Sequence, residues 1–321
     1  MLKMFQGQHS SSSTSEFWDA SWEANELAHV LADVRVVEND PVYTLLVDKL
    51  RPDRLFLEGG CGQSQWVKYF HDRHYRTVGI DFAARTIERV LRVAPELDVR
   101  VGNILALPFA DGEVHSYYSG GVVEHFETGP EPALAEARRV IARDGWFLCS
   151  VPDASFLRRR LFSRARTERF DLDPPLVVTE VDATRPEPPP AGVEFFQYAF
   201  TPAEFTQKLA DAGFTVERTF GYSFLWGLME LPHFRAAYDG AIGLMRSLRD
   251  RVRPSPTTEA PRATAPSATI AAANGHNGGV GGLLRRALVK EDRATPVLGP
   301  LIDFACEHTA SMRMYVARPT L

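Results

Sequence analysis

The sequence predicts an α/β fold, a largely parallel sheet with helices on both faces, and three observations predict it. From Arg54 onward short apolar runs rich in β-branched and aromatic residues recur: RLFLE, TVGID, DVRVG, VHSYYS and WFLCSV. Helical stretches lie between them, SQWVKYFHDR, AARTIERVLRVA and PALAEARRVIAR, and short connections join the two kinds of element. A glycine turn, LEGGCGQS from Leu57 to Ser64, closes the first run. Open sheets of this kind bind ligands at the carboxyl ends of their strands, where such a turn sits.

The remaining elements are less regular. Residues 1–15 are polar and serine-rich and are expected to be mobile, and FWDASWEANELAHVLADV begins a helix near Phe17. After Val151, FLRRRLFSRARTERF and a proline-rich stretch through EPPPAG read as an insertion before FTPAEFTQKLADAGFTVERTF restores a helix and a strand. PHFRAAYDGAIGLMRSLRDRV is a further helical segment. It leads into a run of Pro, Ala, Thr, Ser and Gly over 254–282 that buries little and is expected to be a disordered linker. A last helical stretch and the strand candidate SMRMYVARP end the chain.

Composition bounds the function. With 321 residues, 45% of them hydrophobic, the chain can bury a sizeable core. Its net charge of −5 gives no bulk attraction for nucleic acid. Cys61, Cys149 and Cys306 are widely separated, so neither a disulfide framework nor a zinc site is expected. No stretch approaches the roughly 18 apolar residues of a membrane span, and a cytoplasmic protein fits these features. His71 and His74 lie three apart with no third ligand nearby, so no metal is expected.

The neighbours of the glycines say what the turn holds. A dinucleotide loop counted from Gly60 needs glycine at 65, where Gln65 stands, and Glu58 would set a carboxylate beside phosphates. An acid suits a ligand with a positive end instead. Asp81 ends TVGID, where a carboxylate can accept from both ribose hydroxyls, or can cap the helix that follows. Asn103 ends DVRVG, with an oxygen for an adenine amino group and Ile104 and Leu105 to pack on the ring. Polar groups at three strand ends describe a cationic adenosine ligand.

These residues carry a resemblance. LEGGCGQS, the acid of VGID, GNILALPFADGEVHSYYSGGVVEHF and RVIARDGWFLCSVP are similar to the motifs of class I S-adenosylmethionine-dependent methyltransferases acting on small molecules, the methyltransferase type 11 group that includes the ubiquinone and menaquinone enzymes. The resemblance covers about residues 52–152, and more loosely the later helix and last two strands. It implies a Rossmann-like seven-stranded sheet in the order 3-2-1-4-5-7-6, with strand 7 antiparallel and insertions on the carboxyl side. It implies S-adenosyl-L-methionine as cofactor, held by Glu58, Gly59, Gly60, Cys61 and Gly62 at its methionine part, Asp81 and Phe82 at the ribose, Asn103, Ile104 and Leu105 at the adenine, and Gly120 and Gly121 near the sulfonium. Ser64 and Asn103 depart from the usual glycine and aspartate.

The division expected is an N-terminal tail and helical lid (1–51), a cofactor-binding core (52–153), an insertion with the rest of the core and a substrate cap (154–253), the linker (254–282) and a C-terminal helix and strand (283–321). The activity implied is methyl transfer to an O, N or C atom of a small-molecule, glycan or secondary-metabolite acceptor. A weak or inactive cofactor-binding relative is the alternative. His125 and Glu124 in VVEHF are the candidate catalytic groups, as base or orienting residues, with simple packing as the other reading of His125. Trp18 and Trp22, four apart on one helical face, together with Tyr198 and Tyr222, are candidate substrate-lining residues, or else plain core. The arginines of 158–169 either read an anion on the acceptor or form a solvated helix face.

Overall fold

The computed structural model describes residues 1–6, 14–23, 26–162, 167–170, 176–180, 192–229, 234, 291 and 299–320. Its strands are β1 (Leu2–Gln6), β2 (Phe56–Gly59), β3 (Thr77–Asp81), β4 (Val99–Val101), β5 (Val114–Gly120), β6 (Ile141–Pro152), β7 (Thr167–Phe170), β8 (Leu176–Glu180), β9 (Glu194–Ala199), β10 (Phe214–Tyr222) and β11 (Met312–Pro319). Its helices are α1 (Ser15–Glu23), α2 (Leu27–Ala32), α3 (Tyr43–Lys49), α4 (Gln65–His71), α5 (Ala84–Val93), α6 (Glu131–Val140), α7 (Phe156–Phe162), α8 (Pro202–Asp211), α9 (Phe224–Met229) and α10 (Gly299–Thr309).

Seven strands form one sheet in the order β10-β11-β6-β5-β2-β3-β4. The five from β2 to β6 run parallel, and β11 pairs antiparallel to both β6 and β10. Read from β4, this is the expected 3-2-1-4-5-7-6 with the last strand antiparallel. Every residue of β2 and β3 is buried, as central parallel strands covered on both faces require. On one face Leu27, Leu46, Val67, Phe70, Ile87 and Val90 bring α2 to α5 against Phe56 and Leu148. On the other, α6 and α8 deliver Leu134, Ala137, Phe205 and Leu209 against Leu57, Tyr117, Phe147 and Tyr315. A capping box between Thr201 and Glu204, with Pro202 in the first turn, starts α8.

The chain start differs from expectation. Instead of a mobile tail, Leu2–Gln6 is the third strand of a second, four-stranded sheet, β7-β8-β1-β9, with β1 antiparallel to both neighbours. Leu2, Met4 and Phe5 are buried, and a register shift between Met4 and Phe5 lets two consecutive apolar residues be so. Its partners come from the segment that reads as an insertion, some 170 to 195 residues away, so no local pattern announces the pairing. Phe5, Phe195 and Tyr198 carry this sheet onto the same core as α6 and α8. FWDASWEANELAHVLADV is likewise two helices, α1 and α2, rather than one. The linker at 254–282 and nearly all of PHFRAAYDGAIGLMRSLRDRV lie outside the described residues.

The arginine run is divided. Arg158 is buried at the start of α7, and its Nη1 donates to the carbonyls of Asp153 (2.9 Å) and Ser311 (2.8 Å). It therefore reads neither solvent nor an anionic acceptor. Arg159 and Arg160 are exposed, and the side chains of Arg164, Arg166 and Arg169 lie outside the described residues. Asp153, wholly buried at the end of β6, takes Arg313 Nε at 3.0 Å and Nη2 at 2.9 Å on one oxygen. This pair ties β6 to β11. Removing one partner of a buried ion pair strands the other charge in apolar surroundings. Arg313→Leu is expected to destabilise the fold by about 3 kcal/mol, seen as a lowered urea midpoint, with Asp153→Asn/Arg313→Leu recovering part of the loss.

Candidate functional site

A cleft of about 1020 Å³, counting its open mouth, lies at the carboxyl ends of β2, β3 and β5. This is the place where strand order reverses, since the chain runs outward from β2 to β4 and then returns to β5 beside β2. Turns after three strands supply its floor: Gly60 to Gln65 after β2, Asp81 and Phe82 at β3, and Gly120 to Val122 after β5. Trp18 and Trp22 of α1, Trp66 of α4 and Phe126 supply aromatic walls.

The glycine turn is built around Asp81. Its Oδ2 accepts the Gly62 N–H at 2.8 Å and its Oδ1 the Ala83 N–H at 2.9 Å, so one carboxylate joins the turn after β2 to the turn after β3. Asp81 thus bonds backbone on both sides and is not the side-chain cap of α5, whose first turn is capped from elsewhere. Gly62 lies at φ +46, and a Cβ there would stand 3.0 Å from the Trp22 indole. Ser64, where the resemblance expects glycine, takes the glycine conformation, φ 61 and ψ 32, fully buried, with its hydroxyl near the Gly62 carbonyl (3.4 Å) and Cys61 Sγ (3.5 Å). The backbone path of the motif is kept, and the departure is met by local strain. An L-residue in this region costs about 1–2 kcal/mol and glycine's extra unfolded-state freedom about 0.5–1. Ser64→Gly is expected to raise stability by about 0.5–1 kcal/mol, measured by chemical denaturation.

Two carboxylates face the cleft. One oxygen of Glu58 takes the backbone N–H of Val67 in the first turn of α4, and its buried Oε2 has no hydrogen-bond partner among the described residues. Burial pushes the Glu58 carboxyl well above its ordinary range, against the Val67 bond, and the nearby Asp81 charge adds to the rise. Burial also raises Asp81, opposed by its bonds to Ala83 and Gly62 and reinforced by the charge of Asp19. The described lining includes no lysine or arginine. A group that brings a positive charge or several donors would relieve both acids.

At the opposite end stands His125. Its Nδ1 is 2.7 Å from the carbonyl of Phe196 in β9, and since a carbonyl only accepts, Nδ1 holds the proton and Nε2 is left with its lone pair. Burial lowers its pKa to about 4, opposed by the Phe196 bond, so the ring is neutral near pH 7. Trp18 packs edge-on to it with centroids 4.8 Å apart. Glu124 is buried beside it, Oε1 3.9 Å from Nε2, and burial raises its pKa from 4.5 to about 8. At neutral pH the pair therefore holds a protonated carboxyl and a neutral imidazole.

The structure brings together Trp18, Trp22, Glu58, Gly60, Cys61, Gly62, Asp81, Phe82, Gly120, Gly121 and His125 around one cleft. Other candidates fall outside its lining. Gly59 is the buried last residue of β2, close against Tyr117. Asn103 turns its Oδ1 to the Leu105 N–H at 2.9 Å, and Ile104 is buried in the core, so neither they nor Leu105 line the cleft. Tyr198 donates its hydroxyl to the Glu127 carbonyl (2.8 Å) and packs with Phe195 and Phe200, and Tyr222 belongs to the opposite core face. Both serve packing. Glu124 is not in the lining but sits behind Gly121 and beside His125, which are. His71 and His74 join no cluster of metal-ligating side chains among the described residues. Sequence reasoning passed over Asp19, Trp66 and the Phe196 carbonyl. Asp19 is the one buried side chain of α1, and nothing in the sequence FWDASW signals that burial.

Residues 57–149 match the family model described as a methyltransferase domain. A "probable S-adenosylmethionine-dependent methyltransferase" of Mycolicibacterium smegmatis is 31% identical over 186 residues, 58% of this chain and 60% of that protein. An uncharacterized 37.1 kDa protein in transposon TN4556 of Streptomyces fradiae is 35% identical over 118 residues, 34% of each chain. The chain thus spans about three fifths and one third of the length of these two relatives. Among solved structures, an S-adenosylmethionine-dependent methyltransferase from Mesorhizobium loti aligns with 88% of this chain and 99% of its own at 12% identity and a TM-score of 0.45.

The Glu124 and His125 shifts predict a pH dependence. Between pH 4.5 and 8 the folded protein keeps the Glu124 proton that the unfolded chain gives up, so this group's contribution to stability falls as pH rises through that window. His125, lowered from 6.5 to about 4, acts in the opposite sense below pH 6.5. Above it Glu124 acts without that opposition. Glu124→Gln is expected to flatten the stability profile from pH 6.5 to 8 by about 1–2 kcal/mol relative to wild type, measured by urea melts across that range.

Proposed function

From the premise of a methyltransferase domain at residues 57–149, we propose that this chain transfers a methyl group from S-adenosyl-L-methionine to an O, N or C atom of a small-molecule acceptor. The observation that carries the reading is the pair of buried carboxylates, Glu58 and Asp81, at adjacent strand ends in an aromatic-walled cleft, with Glu58 Oε2 lacking a partner among the described residues. The chemistry of this donor set fits the cofactor: Glu58 would hold its ammonium end, Asp81 its ribose, and Gly60, Gly62 and Gly120 would let it approach the backbone. The adenine end fits less fully, since Asn103 bonds its own turn. Bound there, the cofactor supplies an already activated methyl group on a sulfonium.

The chain's own task is then alignment, exclusion of water and removal of a proton from the acceptor where one must leave. His125 is suited to the last. The Phe196 carbonyl fixes the tautomer with Nε2 as acceptor, and burial keeps the ring neutral at working pH. Trp18 and Phe126, beside it in the lining, exclude water and offer apolar contact to an acceptor. Glu124 lies on the Nε2 side of the ring, 3.9 Å away, and an imidazolium there would draw its carboxyl toward the ionised form.

Calorimetry with S-adenosylhomocysteine tests the reading. Glu58→Gln keeps shape and removes charge, and is expected to weaken binding at least about tenfold, since a charged hydrogen bond contributes about 1.5–3 kcal/mol. Equal affinity in wild type and variant, or stabilisation by NAD instead, would overturn it. A release assay for S-adenosylhomocysteine across phenols, amines, sugars and carbon acids identifies the acceptor, and His125→Ala should lower kcat on it with the cofactor affinity kept.

A further inference from the structure

Helix α1 lies across the cleft, and what fixes it there is a carboxylate. Asp19 is 6% exposed and is the buried side chain of α1, while Phe17, Trp18 and Trp22 are only half-buried. Its Oδ1 accepts both the backbone N–H and the hydroxyl of Thr86, each at 2.8 Å, and its Oδ2 lies 3.4 Å from the Arg85 N–H and Nε. Thr86 and Arg85 are in the first turn of α5, whose own N-cap, Ala83, offers no side-chain bond. Asp19 therefore caps α5 from another helix, satisfying N–H groups that a first turn leaves open.

The same short helix touches both ends of the cleft. Trp18 packs on His125, and Trp22 stands over Gly62 with its carbonyl taking Gln63 Nε2 (3.2 Å) and Arg89 Nη1 (3.4 Å). Trp18 and Trp22 stack with centroids 6.3 Å apart. A ligand embraced by these walls cannot enter or leave past α1 while it is seated. Of the bonds that seat this helix, those of Asp19 to Thr86, at 2.8 Å, are the shortest.

We propose that Asp19 is the latch of a lid formed by α1: its bonds to the first turn of α5 hold Trp18 and Trp22 over the cleft, and their release opens the cleft for ligand exchange. Asp19 is a positioning residue that acts through α1. Because Trp18 reaches His125 only when α1 is seated, the acceptor end of the site is complete only when the lid is shut. The identity of the ligand rests on the methyltransferase reading, but the latch does not.

The amide of Gly62, bonded to Asp81 and covered by the Trp22 indole, reports access. The test is peptide-level hydrogen exchange over 60–65 without ligand, with α6 as the internal reporter of global unfolding. Asp19→Ala is expected to speed exchange in this turn about tenfold with α6 unchanged, since loss of a cap of typical strength shifts an equilibrium by about that factor. Asp19→Asn, which keeps an acceptor oxygen for Thr86, should change the rate less than Asp19→Ala. Unchanged exchange in the turn of Asp19→Ala, or exchange that rises in step in the turn and in α6, would overturn the latch. In stopped flow, Asp19→Ala should release S-adenosylhomocysteine about tenfold faster, and an unchanged release rate would also overturn it. A wild-type chain that takes up no S-adenosylhomocysteine would contradict the cofactor reading alone, because the exchange result still decides the latch.

Discussion

Two carboxylates withdrawn from water at neighbouring strand ends are the constraint around which the rest of the site is arranged. Asp81 is stabilised by backbone N–H groups from the turns after β2 and β3, which fixes the path of the glycine turn. Glu58 has only the amino end of α4 to meet one of its oxygens. Burying a charge without a partner is costly, and the molecule responds by raising the proton affinity of both groups. A site in this state favours ligands that bring positive charge and hydrogen-bond donors. Phosphate-rich dinucleotides bring the opposite. The same acids that made LEGGCGQS look like a defective dinucleotide turn therefore select its ligand.

The acceptor end has its own logic, and it depends on the second sheet. Without the Phe196 carbonyl of β9, His125 would have no fixed tautomer, and β9 is placed by its pairing with β1 at the chain start and by packing on the α6 and α8 face. A strand of five residues at the far end of the sequence thus orients the group best suited to take a proton. Burial pushes Glu124 and His125 in opposite directions, up and down, and leaves them as a neutral acid and a neutral base side by side.

What was legible in the sequence follows the range of the interactions. The central strands and the carboxylates at their ends could be read because alternation of short apolar runs with amphipathic helices is local, and because Glu58 and Asp81 sit where the runs stop, whereas the strand order came only from the family resemblance. The second sheet could not, because β1 pairs with strands some 170 to 195 residues later and its own five residues carry no strand signal beyond three buried side chains. Tyr198 and Tyr222 were read as lining on residue type alone, and packing decided otherwise. Asn103 lies outside the cleft lining, and its Oδ1 turns to the Leu105 N–H in an Asx turn. Ser64 shows the reverse case: its type departs from the motif while its backbone, at φ 61, keeps it.

The central claim is that burial raises the proton affinity of Glu58 and Asp81 and that a cationic adenosine ligand lowers it again. Calorimetry of S-adenosylmethionine binding between pH 5 and 8, at each pH in two buffers of different ionisation enthalpy, tests it most directly. The account predicts net proton release on binding, falling away in Glu58→Gln. Binding with no buffer dependence, or with proton uptake, would contradict it.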